Sequence, residues 1–193
     1  MTTLSEQWRS AFFETIRQHE HAAALQAASR RGQLGQWTTL LTDVVVAACQ
    51  SLSWRASAKG HKLELLPVPR HEYLSQDVMA FTTGDKRWRF PVAVMELENR
   101  RELDFIAYSL WKVLCVRADL RVVYCYRQHH EDVTALVRFL EADVVGSMQL
   151  GRRVDLTGET LLVVGNRAEV EVFPYGFFKW WVLEKNTGRF KLI

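Results

Sequence analysis

A chain of 193 residues can bury the core of one domain and still carry an added segment. Its 48% hydrophobic and 24% charged residues are typical of a soluble globular protein, and three cysteines without paired spacing argue against a disulfide framework or a zinc site. The formal net charge of +3 permits a nucleic acid as partner but does not require one.

The sequence shows neither a secretion signal nor a membrane span. Residues 1–10 carry Glu6 and Arg9 and contain no apolar run of the kind that a signal peptide needs. No apolar run elsewhere approaches the roughly 20 residues of a membrane-spanning helix. We therefore expect a cytoplasmic protein without a membrane partner.

The first third of the chain is predicted to be helical. Apolar residues recur at every fourth position from Leu4 to Ile16, which gives a helix one apolar stripe. The alanine-rich stretch 21–29 also favours a helix, and Gly32 interrupts it. A further helix is expected from about Trp37 to Leu52, with its apolar residues on one face.

The middle third changes to a strand pattern. The stretch 62–66 alternates like a strand and stops at a proline, and strands are also predicted over 77–83 and 89–98. The turn-forming residues 83–86 lie between these last two strands, which predicts an antiparallel hairpin. A helix over about 101–116 should then lead to a strand over 120–126 that is parallel to the third predicted strand.

The last third contains one more helix and then strands. A helix is predicted over 130–144. Two hairpins are predicted after it, one around Gly165 and Asn166 and one around residues 186–188. The whole pattern predicts an α/β fold with a mixed β-sheet flanked by helices. We divide the chain into an N-terminal helical region (1–36), an α/β core (37–145) and a C-terminal β extension packed on that core (146–193).

Two carboxylates, Glu96 and Glu98, end an otherwise apolar strand. Alternate residues of a strand share a face, so these like charges lie on one side of the sheet and need water, a basic partner or a metal to accommodate them. A third acid, Asp77, opens the preceding strand. Three acids on neighbouring strand ends predict a magnesium site.

The order helix–strand–strand–strand–helix–strand, with an acid on the second strand and an acid pair on the third, resembles the PD-(D/E)xK nuclease superfamily. The resemblance covers residues 37–126, with Asp77 and Glu96 at the two acidic positions, 19 residues apart (96 − 77). It implies a restriction-endonuclease-like core, Mg²⁺ or Mn²⁺ as cofactor with Asp77 and Glu96 as its ligands, and DNA as substrate. The backbone carbonyl of Leu97 would add a further oxygen.

The chain departs from the superfamily pattern at the lysine, because Glu98 stands in its place. Some members carry Glu at this position, and there Glu98 would act as general base or as a second metal ligand. Other members supply the lysine from a nearby helix, for which Lys112 is the candidate. A helical wheel places Lys112 opposite the apolar face of its helix, so we expect its side chain to point to water.

A purely structural interpretation of these acids stays open. The segment from Glu96 to Asn99 would then be a solvated strand end, with Asn99 as the cap of the next helix and Glu102 completing a capping box. Asp77 would simply close a turn.

Basic residues are predicted to flank the acids and to contact nucleic acid. Cations neutralise phosphates, and an interleaved aromatic ring can stack on a base. The alternative is an ordinary solvated hairpin whose charges protect a sheet edge. The predicted contact residues are Lys86, Arg87, Trp88, Arg89, Arg100 and Arg101.

A dense aromatic cluster lies near the C-terminus. Its large rings fall on both faces of one predicted strand, so one face must meet either the N-terminal helices or a second subunit in a homodimer. The cluster consists of Phe173, Tyr175, Phe177, Phe178, Trp180 and Trp181.

The leading function from sequence is a Mg²⁺-dependent endo- or exodeoxyribonuclease. The alternative is a catalytically inactive module on the same scaffold that binds nucleic acid or protein, because a fold does not by itself confer an activity.

Overall fold

Seven strands form one mixed β-sheet, and their order in space is their order in the chain. The computed structural model describes residues 2–193, with His19 described by its backbone only. The helices are α1 (Leu4–Ile16), α2 (His19–Arg30), α3 (Leu34–Ser51), α4 (Leu103–Leu114), α5 (His130–Leu140) and α6 (Leu150–Val154). The strands are β1 (Trp54–Ala58), β2 (Val78–Thr82), β3 (Ala93–Leu97), β4 (Leu120–Arg127), β5 (Glu159–Asn166), β6 (Phe178–Glu184) and β7 (Arg189–Leu192).

The centre of the sheet is parallel and both sides are antiparallel. Strands β3, β4 and β5 run parallel to one another, while β1, β2 and β3 alternate in direction, as do β5, β6 and β7. Helix α4 connects β3 to β4, and α5 and α6 lie between β4 and β5. The predicted α/β class, the antiparallel β2–β3 pair and the parallel β3–β4 pair are therefore confirmed.

Helices cover both faces of this sheet. Helices α1, α2 and α3 pack on one face, and α4 and α5 pack on the other. Strand β4 is buried along its whole length, with Tyr124 directed to the first face and Val123 to the second. A central parallel strand needs apolar side chains on both faces because both are covered. No helix within residues 2–193 combines the length and the hydropathy that crossing a membrane requires.

The aromatic cluster near the C-terminus packs mostly against the N-terminal helices. In α1, Phe12 lies 5.3 Å from both Phe178 and Trp180, measured between ring centroids. In α3, Trp37 lies 5.5 Å from Phe177. These three C-terminal rings are at most 2% exposed. The interpretation that the N-terminal helices cover the cluster is confirmed for them, and a homodimer through this region stays a prediction.

The first strand lies earlier in the chain than the sequence predicted. Strand β1 directly follows α3, whereas residues 62–66 form a loop in which only Leu63 makes an isolated bridge, to Arg70. The Tyr73 hydroxyl donates to the Leu63 and Val68 carbonyls and so closes this loop on itself. The alternating pattern of 62–66 reflects packing of the loop on the sheet, with Leu63 buried.

The hairpin predicted around Gly165 and Asn166 is absent from the structure of residues 2–193. Strand β5 runs through both residues, and the 3₁₀ turn Arg167–Val172 follows it. Asn166 caps that turn, since its Oδ1 accepts from the Ala168 N–H at 3.1 Å. A Cβ at Gly165 would lie 2.5 Å from the Tyr126 ring. Glycine is therefore needed here to make room for that ring and not to form a turn. The second hairpin, β6–β7, is confirmed.

Candidate active site

The register of β2 and β3 brings two of the three predicted acids together. Val78 is paired with Met95 in the antiparallel ladder, so one further step places Asp77 opposite Glu96. Val94 lies in the core under α4, and Glu96, two residues on, shares its face of the sheet. Both acids therefore lie at the end of β3 on the side that α4 covers.

Hydrogen bonds join the two acids across the strand ends. The Leu97 N–H donates to Asp77 Oδ2 at 2.7 Å, and the Asp77 N–H donates to Glu96 Oε1 at 3.4 Å. The structure thus confirms that Asp77 and Glu96 converge, as the sequence predicted.

Lys112 of α4 reaches this acid pair. Its Nζ lies 2.7 Å from Glu96 Oε2 and donates to the Ser75 carbonyl at 2.6 Å. The Lys112 side chain is only 18% exposed. The prediction that Lys112 points to water is wrong, because a long lysine stem can lie along an apolar surface while its amine reaches a polar partner.

A neighbouring residue indicates in the sequence that Lys112 faces the sheet. Ser109, three residues before Lys112, is 2% exposed and belongs to the buried face of α4. Residues three apart are neighbours on a helix surface, so a buried Ser109 turns Lys112 towards the sheet. A helical wheel weighted only by apolar side chains assigns the small serine to neither face.

The Glu96 carboxyl is buried, which disfavours its charged form. It is 4% exposed. Burial raises its pKa to about 7, the nearby charge of Asp77 adds to this rise, and Lys112 opposes it. One lysine therefore faces two acids, and the pair retains a negative charge that a further cation would relieve.

Glu98 shares the face of Glu96 but has different partners. Its Oε1 accepts from the Arg100 N–H at 2.8 Å, and its Oε2 lies 3.4 Å from the Ser109 hydroxyl. These bonds hold the turn between β3 and α4. Asn99 contributes to the same turn by donating to Thr38 in α3, so its predicted role as cap of the next helix is wrong; Glu102 stands at that position.

The acid pair suits a cation that keeps most of its water. Within residues 2–193 there is no group of three or more His, Cys, Asp or Glu side chains placed to hold a metal ion. Mg²⁺ often binds through one or two carboxylates, with waters and substrate phosphates completing its shell. Asp77 and Glu96 offer hard oxygen ligands of this kind.

The predicted basic residues fall into two groups at opposite ends of β2 and β3. Lys86, Arg87, Trp88 and Arg89 lie in the loop after β2, whereas Asp77 precedes that strand. Five strand residues span about 16 Å, so this loop does not flank the acids and that part of the prediction is wrong. Contact of the loop with nucleic acid stays a prediction.

Arg89 is largely engaged within its own loop. Its guanidinium donates to the carbonyls of Lys86, at 3.0 Å, of Thr82, at 3.2 Å, and of Gly84. Trp88, by contrast, is 63% exposed. The arginine therefore holds the loop together and keeps few free N–H donors for a ligand.

Arg100 and Arg101 lie at the same end of the strands as the acids. The Arg100 guanidinium carbon sits 4.0 Å from the centroid of the Phe105 ring. Arg101 is exposed, and its carbonyl accepts from Arg127 at 2.8 Å. These two arginines therefore lie near the candidate active site, whereas Lys112 contacts one of its acids directly.

The chain was also compared with known proteins: no protein-family model, curated protein or solved structure matches it. The function is therefore argued from the site formed by Asp77, Glu96 and Lys112.

Proposed function

We propose that this protein is a divalent-metal-dependent nuclease that hydrolyses phosphodiester bonds in DNA. The observation that carries the proposal is the ion pair between Lys112 and Glu96, 2.7 Å long and largely buried, beside a second acid, Asp77. Two acids and one lysine are the side chains that the PD-(D/E)xK pattern requires. A buried carboxyl with a shifted pKa beside a specific charged partner is typical of a functional site.

The order of the elements supports the same resemblance. Helix α3 is followed by β1, β2, β3, α4 and β4, with one acid at the start of β2 and another on β3. The lysine comes from α4 instead of residue 98, as in those members of the superfamily that supply it from a nearby helix. Lys112 therefore takes the role that the sequence pattern left without a lysine.

Each side chain has a distinct task in this proposal. Asp77 and Glu96 would hold Mg²⁺ or Mn²⁺ through their carboxylate oxygens. When bound, the ion supplies positive charge for the phosphate and a coordinated water of lowered pKa. Lys112, held by Glu96 and by the Ser75 carbonyl, is placed to donate a hydrogen bond to the attacking water and to offset charge on the phosphate.

Glu98 has a structural task in this arrangement. Its carboxylate is engaged with the Arg100 N–H and the Ser109 hydroxyl, which fixes the path of the chain from β3 into α4. Proper seating of α4 then places Lys112. We therefore assign Glu98 to positioning rather than to the general-base role expected from sequence.

Metal binding and cleavage test the proposal together. Isothermal titration with Mn²⁺ should show binding to the wild type and none to Glu96→Ala, and labelled DNA should be cleaved only by the former. Asp77→Asn should also abolish cleavage. A wild-type protein that neither binds Mn²⁺ nor cleaves DNA would overturn the proposal.

Moving the lysine gives a sharper test. Lys112→Met should lower the rate of cleavage by roughly 10²–10³. Adding Glu98→Lys to that variant should restore part of it, because residue 98 is where the superfamily pattern has its lysine and lies on the same face as Glu96. Circular dichroism would check that both variants fold. Failure of the double variant, with folding and Mn²⁺ binding intact, would count against the role given to Lys112.

The rival function is a catalytically inactive module that binds nucleic acid or protein. It is favoured by the direct pairing of Lys112 with Glu96, since a salt bridge of this kind can also be purely structural. In that case DNA binding would survive Glu96→Ala without any cleavage by the wild type.

A further inference from the structure

The outer surface of α4 carries a row of exposed aromatic rings. Phe105 is 40% exposed, Tyr108 57% and Trp111 53%. They stand three residues apart, so each lies about 4.5 Å further along the helix than the last. We call these three residues the aromatic row. Large contiguous rings facing water usually mark a surface that meets a partner.

The aromatic row adjoins the candidate active site. The Tyr108 ring centroid lies 5.9 Å from the Lys112 Nζ, which is itself 2.7 Å from Glu96. Tyr108 and Trp111 stack on one another, with ring centroids 5.9 Å apart and an interplanar angle of 23°, so each ring leaves its outer face and its edge for a ligand. A ligand lying on these rings would therefore lie next to the Lys112 amine, which is paired with the buried Glu96 carboxyl.

Cations accompany the rings on this surface. The Arg100 guanidinium covers one face of Phe105 at 4.0 Å, and Lys112 lies beside Tyr108. Two acids, Glu102 and Asp104, lie in the same turn as Phe105, and Lys112 is paired with Glu96, so the exposed positive charge beside the rings comes from Arg100. Rings interleaved with cations are the arrangement that holds single-stranded nucleic acids, because bases stack on rings and phosphates meet the cations.

We propose that the aromatic row is a stacking platform for the unpaired bases of a single-stranded nucleic acid whose backbone enters the acid pair. This inference rests on the proposed nuclease function and adds a substrate class to it. Duplex bases are stacked on one another and hide their faces, so only single strands or frayed ends can use the rings. The occupant is therefore a single strand rather than an intact duplex.

Binding without catalysis tests this inference. We would measure fluorescence anisotropy of a short labelled single-stranded DNA, of the same sequence as RNA and of its duplex, all in EDTA with the full chain. The Tyr108→Ala and Trp111→Ala double variant should bind both single strands roughly tenfold or more weaker, since each stacked base contributes substantially. Duplex binding should change less than about twofold.

Phe90→Ala is the matched control. Phe90 is an 85% exposed ring at the opposite end of β2 and β3, so its removal should leave single-strand binding within about twofold of wild type. Equal losses in the control and in the double variant, or no loss in the double variant, would overturn the inference.

The result separates this inference from the nuclease proposal. If binding depends on the rings but no metal-dependent cleavage is found, the stacking platform is retained and the nuclease proposal is rejected. If single strands are cleaved but binding does not depend on the rings, only the stacking platform is rejected. Analytical ultracentrifugation covers the remaining occupant: a wild-type dimer that Trp111→Ala dissociates would show that the aromatic row binds a second copy, and would overturn the inference.

Discussion

Both ends of the β2–β3 pair carry charged side chains. At one end they are paired and largely buried, and at the other most of them are exposed. At the acid end, Asp77, Glu96 and Lys112 come from three parts of the chain, and the buried Glu96 contacts both of the others. At the loop end, residues 83–92 expose Trp88, and Arg89 binds only carbonyls of its own neighbourhood. Charged residues form a candidate site where separate elements bring them together. They stay on the surface where a single loop contains all of them.

Separation along the sequence does not predict which lysine contacts the acids. Lys86 is ten residues before Glu96 and Lys112 is 16 residues after it, yet the later lysine makes the contact. An antiparallel strand carries the earlier lysine away from the acids, whereas α4 returns along the sheet and brings the later one back. The following experiments test this difference.

Replacing the two lysines should give the largest effect. Lys112→Met should lower the rate of DNA cleavage by roughly 10²–10³, a range typical for loss of one preorganised charge partner in a catalytic site. Lys86→Met should lower the same rate less than about threefold, because its loop lies about 16 Å from the acids. Single-turnover cleavage at saturating Mg²⁺ measures both. Equal losses would show that the two ends act on the substrate alike.

The acid end should also make stability depend on pH. The folded-state pKa of Glu96 is about 7, above its ordinary value of 4.5, so between these values the folded protein binds more protons than the unfolded chain. The stability that this group contributes is therefore greatest below pH 4.5 and falls as pH rises to 7.

Urea unfolding in EDTA, compared with Glu96→Gln, isolates this contribution. The free energy of unfolding of the wild type relative to the variant should fall by up to about 3 kcal/mol between pH 4.5 and 7. A difference that is flat over this range would mean that the Glu96 carboxyl is not held in a dry place.

A smaller effect is expected at the loop end. Arg89→Ala removes hydrogen bonds to the carbonyls of Thr82 and Lys86, which should lower the free energy of unfolding by about 1 kcal/mol. Cleavage of DNA should be unchanged at saturating substrate. A loss of cleavage above tenfold in a folded variant would instead place the loop in contact with the substrate.

Glu98→Gln should have the smallest effect. The amide oxygen can still accept from the Arg100 N–H, and the amide NH2 can donate to the Ser109 hydroxyl oxygen in place of the bond that the carboxylate accepted, so we expect a change of roughly 0.5 kcal/mol in stability and less than about threefold in cleavage rate. A loss comparable to that of Lys112→Met would return Glu98 to the general-base role.

Much of the fold followed from local patterns in the sequence. The stripe of α1, the glycine-bounded helix α2 and the β6–β7 hairpin are determined by neighbouring residues, and all three were predicted. Strand β1 and the loop at 62–66 were not, because an alternating pattern reports which side chains are buried and says nothing about which backbone pairs with which. Gly165 was misjudged for a related reason, since a ring from another strand requires it.

The candidate site was predictable only in part. Asp77 and Glu96 could be placed together because the turn-forming residues 83–86 predicted an antiparallel pair, in which the start of β2 lies beside the end of β3. The contact of Lys112 depends on how α4 rotates over the sheet, which is decided by the buried Ser109 and by packing from several elements. One helix considered alone does not contain that information.

The order of strands in the sheet has a consequence for biosynthesis. Because each strand pairs with its successor in the chain, the sheet can grow from one edge to the other as the polypeptide leaves the ribosome. Helices α1 and α3 depart from this order, since Phe12 packs on Phe178 and Trp180, and Trp37 on Phe177, all of which are translated much later. The apolar stripe of α1 therefore stays without these partners until β6 has been translated, and a chaperone could cover it in that interval.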